Sequence, residues 1–146
     1  MLLSRVVPVA LCAGMLFLAG CGKDSTTSTT TSPTPVAADA TVTETFSATV
    51  GVGGAVFYSF NIASYGNVAV TLKSVTGTNL PDPVLVSVGV GRPAGTGCTT
   101  TTAVSVSPGD SPQLTGVWGP GIYCVRIYDG GGLTDTVRVS AAVAHP

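Results

Sequence analysis

Residues 40–62 read ATVTETFSATVGVGGAVFYSFNI and hold two alternating segments joined by a glycine-rich stretch. In the first segment, one face carries mostly apolar side chains and the other carries only Ser and Thr. The apolar face consists of Val42, Glu44, Phe46, Ala48 and Val50. After residues 51–54, the second segment alternates in the same way through Val56, Tyr58, Phe60 and Ile62. A two-residue period is typical of half-buried β-strands, so this stretch predicts two strands connected by a turn.

The same pattern predicts further strands toward the C-terminus. They fall at residues 68–72, 84–90, 99–107, 114–117, 122–129 and 134–143, and residues 91–97 are expected to form a long loop. The segment at 84–90 is apolar on nearly both faces, which predicts a central strand. No stretch of ten residues after the N-terminal segment has helical periodicity. The chain therefore predicts an all-β domain, an antiparallel β-sandwich of seven or eight strands.

The composition excludes one class of partner. Only 9% of the 146 residues are charged and the formal net charge is −1, whereas about 25% charged residues are usual in soluble domains. Binding to a nucleic-acid backbone needs a basic surface, so no nucleic-acid partner is expected.

The N-terminus has the features of an export signal. Residues 6–17 form an apolar run that is shorter than the roughly 20 residues a membrane-spanning helix needs. The run ends in Leu18-Ala19-Gly20-Cys21, which resembles the lipobox of bacterial lipoproteins. That resemblance implies cleavage between Gly20 and Cys21 and a diacylglycerol on the Cys21 thiol, which would anchor the chain to a membrane. The alternative is an ordinary cleaved signal with an incidental cysteine.

The resulting domain organisation has three parts. Residues 1–20 are the predicted signal peptide, residues 21–39 the lipidated cysteine with its linker, and residues 40–146 the sandwich. Within the linker, residues 25–35 are all Ser, Thr or Pro, a composition that predicts disorder. The predicted location is the cell envelope, at the outer membrane if the source is Gram-negative.

Two of the four cysteines remain after the signal and the lipid site are assigned. Cys12 lies in the signal and Cys21 at the predicted lipid site, which leaves Cys98 and Cys124. A remaining pair in an exported domain favours a disulfide. Two free thiols are the alternative.

Four segments occur in an order that points to a family. Phe46 precedes the turn at Gly51, and three apolar segments follow it at residues 56–60, 68–72 and 121–127. Together they resemble the bacterial pre-peptidase C-terminal domain over residues 40–143. The resemblance implies an extracellular, jelly-roll-like sandwich related to the collagen-binding domains of clostridial collagenases. Those relatives bind calcium near the N-terminus of the domain, where this chain has only Asp39 and Glu44, so calcium is not expected.

Catalytic and metal sites are not expected either. The only histidine, His145, is next to the last residue of the sequence and is expected to be an exposed tail residue. No CxxC or HxxxH spacing occurs, so no metal and no cofactor are predicted. Asp129 and Asp135 bracket a glycine-rich stretch that could hold a cation, but an aspartate-capped turn is favoured.

These observations predict a lipid-anchored, non-catalytic envelope module that binds a protein or glycan, or that has a structural role. The alternatives are a carbohydrate-binding module, a hydrolase-associated accessory domain, and a hydrolase with an unrecognised site. For the carbohydrate-binding alternative, Trp118 and Tyr128 are the candidate ligand contacts. Trp118 has a second interpretation, in which it closes one end of the core. Tyr123 shares a face with Val125 and Ile127 and is predicted to anchor the core.

Overall fold

A computed structural model of the chain describes residues 40–146. The predicted signal peptide at 1–20, the lipid site at Cys21 and the linker up to residue 39 lie outside the described residues. The described residues form eight β-strands: β1 (Val42–Val50), β2 (Ala55–Ile62), β3 (Gly66–Thr76), β4 (Val86–Ala94), β5 (Gly97–Val106), β6 (Leu114–Trp118), β7 (Gly121–Tyr128) and β8 (Val137–His145). No helix that could cross a membrane occurs among them.

The strands form two four-stranded antiparallel sheets that pack face to face. Sheet 1 has the order β1-β8-β3-β6 and sheet 2 the order β2-β7-β4-β5. This pairing of eight strands is that of a jelly roll, in which each sheet takes strands from both halves of the chain. The predicted antiparallel sandwich is therefore confirmed, with the larger of the two expected strand numbers.

The core lies between the sheets and contains the apolar faces that the alternation predicts. In β2, Phe60 and Ile62 are buried, while Phe57 on the opposite face is exposed. Tyr123 is buried on the inner face of β7, as predicted. The inner faces of β3, β4, β7 and β8 supply most of the remaining core: Val68, Val70, Leu72, Val86, Val88, Val90, Val125, Ile127, Val137, Val139, Ala141 and Val143. Each buried Val, Leu or Ile side chain of this set stabilises the fold by roughly 1.5–3 kcal/mol relative to an exposed one.

β4 is a central strand of sheet 2, as its sequence predicts. It lies between β7 and β5, and its outward-facing Ser87 and Gly89 are buried together with its inner face. A side chain larger than glycine would not fit at position 89, because its Cβ would lie 2.7 Å from the Thr100 methyl group. The chain thus covers both faces of this strand.

The expectation of a long loop at residues 91–97 is wrong. β4 continues to Ala94 and β5 begins at Gly97, so the connection is a two-residue turn in which Gly95 has a φ of +56°. The ladder changes register after Val90, and a Cβ at Gly91 would overlap the carbonyl oxygen of Thr99. Glycine at 91 therefore lets the two strands approach closely, and the residues that suggest a loop instead extend a hairpin.

The sandwich has two distinct ends. The register pairs Val42 with His145, Gly66 with Trp118 and Ile62 with Gly121. The end with the start of β1, the β2–β3 and β6–β7 turns and the end of β8 is called the proximal end. The distal end carries the β1–β2 turn and the loops at 77–85 and 129–136.

Candidate functional site

The outer face of sheet 2 carries a groove beside a disulfide. Cys98 of β5 is bonded to Cys124 of β7, the pair that the cysteine count predicts. In sheet 2, β4 lies between β5 and β7. The disulfide therefore crosses over β4 and ties the β4–β5 hairpin to β7. The hairpin tip and β2 then form the two walls of a groove of about 340 Å³, which is lined by Ala55, Val56, Phe57, Ala94, Thr96, Gly97, Cys98, Thr99 and Arg126.

Arg126 is the one charged residue of the groove. Its guanidinium lies 4.9 Å from the centre of the Tyr128 ring, a stacking distance. The ion pairs within residues 40–146 are Lys73–Asp110 and His145–Glu44, so Arg126 has no carboxylate partner there. Phe57 faces Arg126 across the β2–β7 ladder and is 44% exposed. The groove thus presents a cation beside an apolar ring, a combination that suits a ligand with a carboxylate.

The two predicted ligand contacts, Trp118 and Tyr128, lie at opposite ends of the sandwich. Trp118 ends β6 at the proximal end, whereas Tyr128 ends β7 at the distal end. They therefore do not form one aromatic platform. The Trp118 ring packs edge-on against Tyr123, with ring centres 5.5 Å apart, and is half-buried at the margin of the core. Its position favours the core interpretation over the platform.

Trp118 has a local packing requirement that explains its glycine neighbour. Gly116 is two residues earlier on the same inner face, and a Cβ there would lie 2.9 Å from the indole Nε1. That indole nitrogen is buried and has no hydrogen-bond partner among the described residues. Glycine at 116 therefore leaves the space that the indole occupies.

His145 is buried, so the expectation of an exposed tail residue is wrong. It is 3% exposed, because β8 continues through His145 and pairs it with Val42 of β1. Its ring lies 5.2 Å from the Phe60 ring, centre to centre. The side chain of His145 also contacts Glu44 of β1, 101 positions earlier in the sequence. This contact holds the imidazole ring in place.

Glu44, Tyr58 and His145 form a polar cluster between the two sheets. The Glu44 carboxylate accepts a hydrogen bond from the Tyr58 hydroxyl, and its other oxygen lies 3.0 Å from His145 Nε2. The Phe46 ring stacks on Tyr58 at 5.0 Å. Since Glu44 lies in sheet 1 and Tyr58 in sheet 2, the cluster connects the two sheets along the β1–β2 margin.

Within the cluster, the surroundings shift the pKa values of Glu44 and Tyr58 in opposite directions. The Tyr58 hydrogen bond and, to a smaller extent, the contacts with His145 lower the pKa of Glu44 below its ordinary value, and partial burial opposes them. The same hydrogen bond raises the pKa of Tyr58, because the phenolate would face a carboxylate. The arrangement keeps Glu44 ionised and Tyr58 protonated near neutral pH. The other ring nitrogen of His145, Nδ1, lies 3.1 Å from the backbone carbonyl oxygen of Pro146.

Asp129 caps the turn after β7, as the favoured interpretation of that loop predicts. One carboxylate oxygen accepts hydrogen bonds from the backbone N–H groups of Gly131, Gly132 and Leu133. The other accepts one from Gly53 in the β1–β2 turn, and this bond contributes most to the lowered pKa of Asp129. Asp135 instead contacts Thr78 and the Thr136 N–H. Within residues 40–146, no group of three His, Cys, Asp or Glu residues is close enough to hold a metal.

One feature of the sequence predicts part of the polar cluster. Glu44 is the only charged residue on an otherwise apolar face of β1, so a buried partner is required for it. The partner residues, Tyr58 and His145, are not identifiable from local pattern. The groove at Arg126 likewise depends on the path of the β4–β5 hairpin.

Comparison with known proteins adds no relative: no family model, no curated protein and no solved structure matches the chain.

Proposed function

We propose that this chain is a lipid-anchored protein of the cell envelope and that its β-sandwich is a non-catalytic binding or structural module. The observation that carries the proposal is Leu18-Ala19-Gly20-Cys21 at the end of an apolar run. The disulfide between Cys98 and Cys124 supports an extracytoplasmic location, since such bonds persist in oxidising compartments. The resemblance of residues 40–143 to the pre-peptidase C-terminal domain supports a module without its own active site.

Metabolic labelling with a fatty-acid analogue tests the anchor. We expect the label on the wild-type protein and none on the Cys21→Ser variant. Cys12→Ser is the matched control, because Cys12 lies in the segment that the cleavage removes, and this variant should keep the full label. Equal labelling of the Cys21→Ser variant would contradict the anchor.

The groove at Arg126 favours carbohydrate binding as a second candidate, with contacts that differ from the predicted pair. Phe57 offers an exposed apolar ring on which a sugar ring can stack, and Arg126 can bind a carboxylate in bidentate fashion. Thr96 and Thr99 line the opposite wall and add hydroxyl groups. This set fits an acidic saccharide, such as one that contains uronic acids.

Binding of acidic and neutral oligosaccharides of equal length measures this candidate. We expect the acidic series to bind more tightly and Arg126→Gln to remove the difference. Arg138→Gln, at an exposed position of β8 outside the groove, is the control and should leave binding unchanged. Equal binding of both series would contradict the groove as an acidic-saccharide site.

A further inference from the structure

Exposed apolar side chains concentrate at the proximal end of the sandwich. Val42, Tyr65, Val117 and Ile122, four of the eight exposed large hydrophobic residues, lie there. Tyr65 is 74% exposed, Val117 61% and Ile122 60%. The proximal apolar rim is the name used below for Tyr65, Val117 and Ile122, together with Pro120 in the turn between β6 and β7.

The residues of the rim flank the β6–β7 turn. Val117 and Ile122 lie on either side of this turn, one on the outer face of each sheet. The Tyr65 ring lies against the turn itself, since a Cβ at Gly119 would be 3.8 Å from it. The rim therefore surrounds the turn, with Val117 and Ile122 on opposite sides of the sandwich, and no described strand covers these side chains.

The chain reaches the domain beside this rim. Thr41, just before β1, lines a hollow of about 290 Å³ together with Tyr65 and Pro146. Residues 22–39 separate Cys21 from the first described residue, a span of 18 residues. A linker from Cys21 therefore enters the domain at its proximal end, beside the rim.

Most acidic side chains of the described residues lie away from the rim. Asp82, Asp129 and Asp135 lie in loops at the distal end. Asp110 pairs with Lys73 between the two ends. At the proximal end, the ionised Glu44 carboxylate is half-buried and hydrogen-bonded to Tyr58, whereas the exposed carboxylate of Asp82 lies in a distal loop, away from the rim.

We propose that the proximal apolar rim inserts through the headgroups to the upper acyl chains of the membrane to which Cys21 is attached. This inference rests on the lipid anchor of the proposed function. Tyrosine with aliphatic neighbours is the combination that favours the membrane interface. Because the anchor keeps the domain at high local concentration, a contact of low intrinsic affinity is enough to orient it.

The single tryptophan allows a direct test, because Trp118 lies next to Val117 at the rim. The mature chain, residues 21–146, is coupled through the Cys21 thiol to a maleimide lipid in phosphatidylcholine vesicles. Cys98 and Cys124 are bonded to each other and do not react. This coupling supplies an anchor whether or not the cell attaches one, so failure of the rim and failure of natural lipidation are distinguishable.

Fluorescence is compared in vesicles with and without bromine on the acyl chains. We expect brominated lipid to quench Trp118 of the wild type at least twofold more strongly than that of the Tyr65→Ser/Ile122→Thr variant. The control is Val52→Ser, which removes an exposed apolar side chain from the distal end, outside the rim, and should be quenched like the wild type. Circular dichroism checks that all three proteins keep the same unfolding midpoint within a few degrees.

Two results would overturn the proposal. Equal quenching of the wild type and the rim variant would show that the rim does not approach the acyl chains. Absence of quenching, with a sedimentation shift to a dimer that the rim variant abolishes, would show that a second copy of the chain covers the rim instead.

Discussion

Truncation of Tyr123 should remove a large part of the stability of the sandwich. The side chain is 7% exposed and its ring contacts three neighbours: Trp118 at 5.5 Å and Phe60 at 6.2 Å between ring centres, and the Arg92 guanidinium at 4.5 Å. Loss of a large buried aromatic costs about 3–5 kcal/mol. Since aromatic pairs add about 0.5–1.5 kcal/mol beyond buried area, Tyr123→Ala should fall in the upper half of that range.

Tyr123→Phe separates the ring from its hydroxyl. It removes the hydrogen bond that Arg92 donates to the hydroxyl at 3.0 Å and keeps the ring contacts, so its cost should be about 1 kcal/mol. Ile122→Thr is the matched control on the same strand, because Ile122 faces outward and is 60% exposed. Its free energy of unfolding should change by less than about 0.5 kcal/mol.

Urea unfolding followed by far-ultraviolet circular dichroism measures all three variants. With a urea dependence of about 2 kcal/mol per molar, Tyr123→Ala should lower the midpoint by about 2 M. The signal comes from the strands, so it does not depend on the Trp118 environment that the substitution changes. The reasoning would be refuted if Tyr123→Ala cost less than about 1 kcal/mol, or if Ile122→Thr cost as much.

Three further predictions concern the disulfide, the polar cluster and the tryptophan. Replacement of Cys98 and Cys124 by Ser should lower the free energy of unfolding by about 3.5 kcal/mol in the chain-entropy model, and mass spectrometry of the non-reduced wild type should find the two peptides joined. Because its folded-state pKa is depressed, Glu44 should stabilise the fold above its ordinary pKa of 4.5 and lose this contribution as the pH falls through the folded value. The difference in unfolding midpoint between the wild type and Glu44→Gln should therefore shrink at acid pH; a difference independent of pH would contradict this. Trp118 should emit at short wavelength and resist acrylamide, whereas emission like that of free tryptophan would place it outside the core.

The alternation of the sequence is enough to predict most strands and their buried faces. In β2 and β7, every second residue is apolar, and the structure buries Phe60, Tyr123 and Val125 where this pattern puts them. This pattern depends only on neighbouring residues, because successive side chains of a strand point to opposite faces of the sheet. The sequence also predicts the disulfide Cys98–Cys124, which the structure contains, because the predicted roles of Cys12 and Cys21 leave these two cysteines as the favoured pair.

The rest depends on contacts between distant residues. Residues 91–97 look like a loop because of their glycines and proline, but pairing with β5 extends the strand through them. His145 looks like a tail residue until β1 is placed beside β8, when its side chain meets Glu44. Trp118 and Tyr128 are only ten positions apart in sequence, yet β7 runs the length of the sandwich and carries them to opposite ends.

The place of β1 in sheet 1 has a mechanical consequence. β1 is an edge strand, held by nine register pairs to β8 alone among the strands of its sheet. A pull on the chain at Thr41, against a load gripped at the distal loops, is directed along the strand axis and perpendicular to the hydrogen bonds of the β1–β8 ladder. All nine pairs then resist sliding at once, whereas a pull sideways from the sheet would open them one after another. The domain should therefore resist mechanical unfolding most strongly when the force acts along the long axis of the sandwich.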